Sequence, residues 1–282
     1  MTEMSVRVRN NVKVSGVPGG QAMVFAHGFG CDQQMWRLVA PAFEDRYSVV
    51  LFDHVGSGRS DLSCYDPHRY RSPAGYARDV LELLLELQLE RVIFVGHSVS
   101  AMIGVLAAIE RPELFESLVL VGPSARYIDD GDYRGGFTSA DIDELLLVMS
   151  SNYLGWSAAM APMVMGNADR PELGEELTQH FCANDPEIAT HFAAATFLAD
   201  NRADLPNCAT SSLVLQMTDD VIAPIEVGEY VHRHLVNSEF RILKATGHCP
   251  NLSAPAETIA AVKDFLALRE TQTRPAHSRG PA

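Results

Sequence analysis

No stretch of this 282-residue sequence approaches the roughly 18 apolar residues of a membrane helix, and the N-terminal residues Met1-Thr2-Glu3-Met4-Ser5-Val6-Arg7 hold no apolar signal core. Both absences argue against a membrane protein and against export. Basic charge is also scarce: 22 Lys and Arg against 36 Asp and Glu give a net charge of −14, with no basic stripe. Nucleic acid is therefore not an expected partner, while solubility is served. Cysteine is thin and scattered. Cys31, Cys64, Cys182, Cys208 and Cys249 are odd in number and free of C-x-x-C spacing, which excludes a disulfide framework or zinc site and predicts reduced thiols in a cytoplasmic setting. His232 and His234 stand two apart on an expected helix and do not share a face, so no metal is expected from them. Gly56 and Gly58 lack the third glycine of a dinucleotide loop and the Lys-Ser/Thr of a phosphate loop; they read as a tight turn, and no cofactor is expected.

What is present describes a globular chain. Hydrophobic residues make up 47% and charged residues 21%, and the length suits one α/β core with an insertion. Apolar runs at 6–14, 23–26, 47–52, 92–95, 117–121, 212–217 and 239–243 read as strands, and amphipathic stretches at 71–89, 101–109 and 254–268 as helices. This alternation predicts a mostly parallel, eight-stranded sheet covered on both faces. Between 124 and 206 the alternation stops, and four helices are expected at 139–151, 153–165, 171–183 and 186–199. Thr138 or Ser139 and Asp185 are the expected caps, with Pro171 and Pro186 in first turns. The expected organisation is a core over 1–123 and 207–270, a helical lid over 124–206 placed after a sixth strand, and a disordered tail over 271–282.

The chemistry concentrates at three strand ends. Val92-Ile93-Phe94-Val95 runs into Gly96-His97-Ser98-Val99-Ser100 and then a helix, the pattern of a nucleophile elbow, although Ser100 stands where a glycine is usual. Small flanks let strand and helix close around a strained Ser. The alternative is a strand–helix junction with a capping Ser. A triad would then follow in the order Ser, acid, His. Asp219-Asp220 follows the strand at 212–217, and Gly247-His248-Cys249-Pro250 follows the strand at 239–243. Asp220 is the preferred acid, with Asp219 as the fallback, and His248 the base. Met23-Val24-Phe25-Ala26 ends at His27-Gly28-Phe29-Gly30, which places an oxyanion hole at the N–H groups of Phe29 and Val99. His27 and His97 read as structural hydrogen-bonding residues. Of the lid residues Phe137, Met149, Trp156, Met160, Met163, Phe192 and Phe197, about half are expected to face Ser98 in an apolar, dry pocket. Phe137, Trp156, Met160, Phe192 and Phe197 are the substrate-pocket candidates.

In His27-Gly28-Phe29-Gly30-Cys31-Asp32-Gln33, Phe52-Asp53-His54-Val55-Gly56-Ser57-Gly58, Gly96-His97-Ser98-Val99, Tyr153-Leu154-Gly155-Trp156 and Gly247-His248-Cys249-Pro250, the chain resembles RsbQ-type α/β hydrolases, a resemblance that extends over residues 5–268. Plant strigolactone and karrikin receptors are similar. The resemblance implies an α/β-hydrolase fold with a four-helix lid over a small hydrophobic cavity, and the triad Ser98, Asp220, His248. It further implies a bacterial stress-response signalling role in sigma-factor regulation, with a PAS-domain protein as partner. Two residues depart from the family pattern: Ser100 for the elbow glycine, and His54 where Tyr is common.

The leading expectation is a serine hydrolase of a small hydrophobic ester, lactone or related carbonyl compound. A slow-turnover ligand receptor using the same pocket is the alternative from a different class, and a carbon–carbon bond hydrolase of ring-cleavage products is a third. Haloperoxidase activity would be incidental, and a haloalkane dehalogenase would need Asp at position 98.

Overall fold

The structure is a computed structural model that describes residues 5–273. Its first departure from expectation is at the N-terminus, where only Lys13–Gly16 (β1) of the stretch 6–14 extends into a strand. Val6–Arg9 forms one helical turn, α1, whose Arg7 N–H is capped by the Ser5 hydroxyl, while the Glu86 carboxylate takes the Val6 N–H. Asn11 then adopts φ 45° and reverses the chain. Val6 is buried but Val8 is 62% exposed, so a strand here would have had one apolar anchor, and local capping of the backbone wins.

The remaining strands are β2 (Ala22–Ala26), β3 (Ser48–Leu51), β4 (Val92–His97), β5 (Phe115–Val121), β6 (Ser212–Asp219) and β7 (Ser238–Thr246). Among the described residues the sheet has seven strands rather than eight, in the order β1-β3-β2-β4-β5-β6-β7, with β1 antiparallel and the others parallel. The helical insertion consequently follows the fifth strand, not a sixth. Because successive side chains of a strand point to opposite faces, β2 sends Val24 to one core and Met23 and Phe25 to the other; β4 divides Phe94 from Ile93 and Val95 in the same way. One face is covered by α2 (Pro73–Glu86) and α3 (Val99–Glu110), the other by short turns carrying Trp36 and Phe43 and by the C-terminal helix.

Between β5 and β6 stand α4 (Ser139–Ser151), α5 (Tyr153–Met165), α6 (Pro171–Cys182) and α7 (Pro186–Phe197). Their starts follow sequence chemistry. Thr138 and Asp141 form a reciprocal capping box, Asn152 accepts the Gly155 N–H, and Asp185 accepts the N–H groups of Glu187 and Ile188. Pro171 and Pro186 occupy first-turn positions, where the missing N–H costs nothing. α5 packs on α6 and α4 on α7, and a third apolar core joins them to the C-terminal ends of the strands. α8 (Ile225–His234), α9 (Pro250–Ser253) and α10 (Pro255–Thr273) complete the chain. Residues 271–273 continue α10 instead of starting a tail; the rest of the expected tail, 274–282, lies outside the described residues. Among those described, all five cysteines are free, no cluster of three or more His, Cys, Asp or Glu could hold a metal ion, and no helix is long and apolar enough to cross a membrane.

Candidate active site

β4 stops at His97 and α3 starts at Val99, so Ser98 turns the chain alone, at φ 58° and ψ −123°. A residue with a Cβ is strained there and must be held. The Ser98 N–H donates to Val121 O at 2.8 Å, and its carbonyl accepts from the Ala101 N–H at 2.9 Å. Gly96 is required by the same turn: a Cβ there would lie 2.4 Å from Ser100 O.

Three loops then converge. Ser98 Oγ lies 2.8 Å from His248 Nε2, and His248 Nδ1 lies 2.7 Å from Asp220 Oδ2. A carboxylate only accepts, so His248 donates from Nδ1 and its Nε2 is left to accept the Ser98 proton. Asp220 Oδ1 accepts the N–H groups of Ile222 at 2.8 Å and Ala223 at 3.1 Å, which keeps the buried carboxylate compensated. Ser98, His248 and Asp220 are only 5%, 4% and 7% exposed. Asp219, the fallback acid, instead pairs with Thr246 in the sheet, and its carbonyl accepts the Gly247 N–H.

The two departures noted in the sequence prove to touch. The buried Ser100 hydroxyl donates to His27 O, so its oxygen accepts from His54 Nε2–H at 2.7 Å. The His54 backbone N–H in turn donates to His27 Nε2 at 3.1 Å, which leaves His27 Nδ1–H for Gly28 O at 2.8 Å. This network ties α3 to the ends of β2 and β3. His97 donates from Nε2 to His248 O at 2.8 Å, steadying the loop that carries His248. Burial lowers the pKa of all three histidines, His54 well below the usual range and His97 to about 3, so each is neutral at pH 7. None of the three is hydrogen-bonded to Ser98.

The N–H groups of Phe29 and Val99 have no hydrogen-bond partner among the described residues. Above them is a small, mostly apolar cavity of about 40 Å³. Ser98, His97, His248, Phe29, Cys31 and Cys249 line it from the core; Trp156, Met160 and Phe197 are among those lining it from the insertion. Burial pushes both thiols up, which makes them poor nucleophiles. Phe137 and Phe192 do not line the cavity. Phe192 stacks on Tyr76 at 4.3 Å and backs the Phe29 ring at 5.7 Å, while Phe137 packs behind Phe197 at 6.4 Å. Met149 is likewise absent from this wall, and Met163 is exposed.

The sequence reading missed Leu145, Val164, Leu177, Phe181 and Thr196 in the wall. A polar Thr196 directly before Phe197 in an Ala-rich turn was the available signal. It also missed how closely the end of α5 holds the loop that carries His248. His248 N–H donates to Val164 O at 2.9 Å, and Asn167 Nδ2 donates to Thr246 O at 2.8 Å. Gly247, at φ 82°, permits this approach, since a Cβ there would fall 1.8 Å from Met165 O.

Comparison with known proteins gives consistent results. Residues 23–262 match the Alpha/beta hydrolase family. A karrikin-insensitive-2 receptor of Petunia hybrida is 40% identical over 251 residues, 89% of this chain and 93% of the relative. A strigolactone esterase of Arabidopsis thaliana is 38% identical over 258 residues, 91% of this chain and 96% of the relative. The solved structure of a hydrolase from Oleispira antarctica superposes with a TM-score of 0.87 at 38% identity, covering 95% of this chain and 97% of that one.

Proposed function

The chain belongs to the alpha/beta hydrolase family as an esterase-like serine hydrolase, and we propose that it cleaves small hydrophobic esters, lactones or related carbonyl compounds through Ser98, His248 and Asp220. The observation that carries this reading is the unbroken chain of hydrogen bonds from Ser98 Oγ through His248 to Asp220 at the floor of an apolar cavity. Ser98 Oγ attacks the substrate carbonyl carbon while His248 Nε2 takes its proton. Asp220 fixes the imidazole tautomer and stabilises the imidazolium. The amides of Phe29 and Val99 receive the oxyanion, a contribution of roughly 2.7–4 kcal/mol for each donor. His248 then returns the proton to the leaving oxygen, and water, deprotonated by the same imidazole, releases the acyl group. The four helices serve as a lid, keeping the cavity dry so that these hydrogen bonds act in a low dielectric.

A fluorophosphonate probe tests the assignment. Wild type is expected to take up one equivalent, and Ser98→Ala none, with unchanged circular dichroism. Labelling that persists in Ser98→Ala removes Ser98 from the role.

A second reading, a receptor with slow turnover, is favoured by the burial of Ser98, only 5% exposed beneath the insertion, which makes exchange of substrate and product slow. The receptor named among the relatives fits the same reading. The RsbQ-type resemblance adds a cytoplasmic stress-response setting and a PAS-domain partner to this proposal.

A further inference from the structure

One hydroxyl in the insertion does not behave like its neighbours. Ser and Thr inside helices commonly return their proton to the carbonyl one turn back. Ser157 does so with Tyr153 O at 2.9 Å, Thr178 with Gly174 O at 2.8 Å, and Thr190 with Pro186 O at 2.7 Å. Thr196 on α7 does not. It is 2% exposed, it lines the cavity that holds Ser98, and its Oγ1 has no hydrogen-bond partner among the described residues. The Trp156 indole N–H, on the same wall from α5, is likewise buried and without a partner. An unpaired buried hydroxyl is destabilising, and Val would fill the same volume without that penalty. A wall shaped only to exclude water has no use for Thr at this point.

We propose that Thr196 is a specificity-determining residue whose hydroxyl bonds a substrate oxygen other than those of the scissile carboxyl group. The substrate class is then a small, uncharged ester or lactone that carries an additional ether, hydroxyl or carbonyl oxygen. That oxygen is neutral, because the cavity wall offers no Lys or Arg to receive a carboxylate. The proposal rests on the hydrolase reading above and adds nothing to the proton transfers: Thr196 binds, and the bond is made in the ground state and kept in the transition state.

Two p-nitrophenyl esters of nearly equal shape test it, the butyrate and the methoxyacetate, which differ by an ether oxygen in place of one methylene. The readout is the ratio of kcat/KM for methoxyacetate over butyrate, with the Ser98→Ala rate subtracted, in wild type, Thr196→Val and Thr196→Ser. The ratio within each protein is compared across proteins, which cancels the intrinsic reactivity of the esters. Thr196→Val is expected to lower the ratio about tenfold and Thr196→Ser to restore most of it, the size of one lost hydrogen bond. Thr196→Val is also expected to melt at or above the wild-type Tm. An unchanged ratio with Ser98-dependent turnover intact overturns the assignment of Thr196 and leaves the hydrolase reading standing. A clearly lower Tm for Thr196→Val also overturns it, because the hydroxyl would then have had a protein partner. Absence of Ser98-dependent turnover of both esters overturns the hydrolase reading, and this proposal with it.

Discussion

Removing one oxygen behind the nucleophile is expected to cost this protein more than its size suggests. In Ser100→Ala, two buried groups lose their partner at once: the His27 carbonyl that accepted the hydroxyl proton, and His54 Nε2–H that donated to its oxygen. His54 cannot recover by moving its proton to Nδ1, because Nδ1 is itself buried and without a partner. A stranded buried polar group costs roughly 1–3 kcal/mol, and a carbonyl with a second lone pair falls at the low end, so the expected loss is about 2–4 kcal/mol. His54→Phe removes the donor and its unpaired Nδ1 together and puts an apolar ring among Phe52, Tyr76 and Phe192. The double variant should therefore be less destabilised than the two single losses combined, with a coupling of about 1–2 kcal/mol. Urea unfolding of the four proteins at pH 7 measures this through the midpoint at constant slope. Ser100→Ala within 0.5 kcal/mol of wild type, an error-sized change on this scale, or strict additivity in the cycle, would refute the argument.

Other outcomes follow from the same geometry. Asp220→Asn should lower kcat by about 10⁴ with the fold intact, since the amide no longer fixes the tautomer that leaves Nε2 free; steady-state ester kinetics read it. Gly28→Ala places a Cβ 2.8 Å from His97 Nδ1 and 3.2 Å from Ser98 Cβ, so the proposed oxyanion loop must move and kcat should drop by tenfold or more at an unchanged pH optimum. Stability should fall in acid for a specific reason. His27, His54 and His97 have folded pKa values depressed below 6.5, His97 to about 3, so between those limits the unfolded chain binds more protons than the folded one. Their contribution is complete above pH 6.5 and is lost as pH falls, at up to about 1.4 kcal/mol per pH unit for each histidine. Urea midpoints that do not move between pH 7 and pH 5 would contradict this. Gly247→Ala, with its Cβ against Met165 O, should be among the most destabilising single changes, by about 3 kcal/mol or more, or should fail to fold.

The candidate residues Ser98 and Asp220 are legible in the sequence because each follows a largely apolar strand; His248 follows the more polar β7 and is legible through its Gly-His-Cys-Pro loop and the chain order Ser, acid, His. The helices of the insertion are legible for local reasons, Thr138, Asp185, Pro171 and Pro186 marking their starts. Cavity walls are harder. Phe192 and Phe197 are both buried on α7, yet only Phe197 reaches the cavity, because the rotation of a helix about its axis is decided by packing partners such as Tyr76, remote in sequence. The N-terminal turn was hidden likewise: Val6-Arg7-Val8 alternates like a strand, and the groups that fold it back, Glu86 above all, arrive from eighty residues away. Ser100 and His54 are each visible as a departure, but their hydrogen bond spans 46 positions and is visible only in three dimensions.

The central claim is that Ser98 turns over an ester inside this cavity. The most direct measurement is the full time course of p-nitrophenyl acetate hydrolysis by wild type and by Ser98→Ala at matched concentrations. The account predicts p-nitrophenol release that depends on Ser98, sustained if the protein is a metabolic hydrolase and arrested after about one equivalent if it is a slow receptor. Equal release by the two proteins, at the background rate or above it, would contradict it.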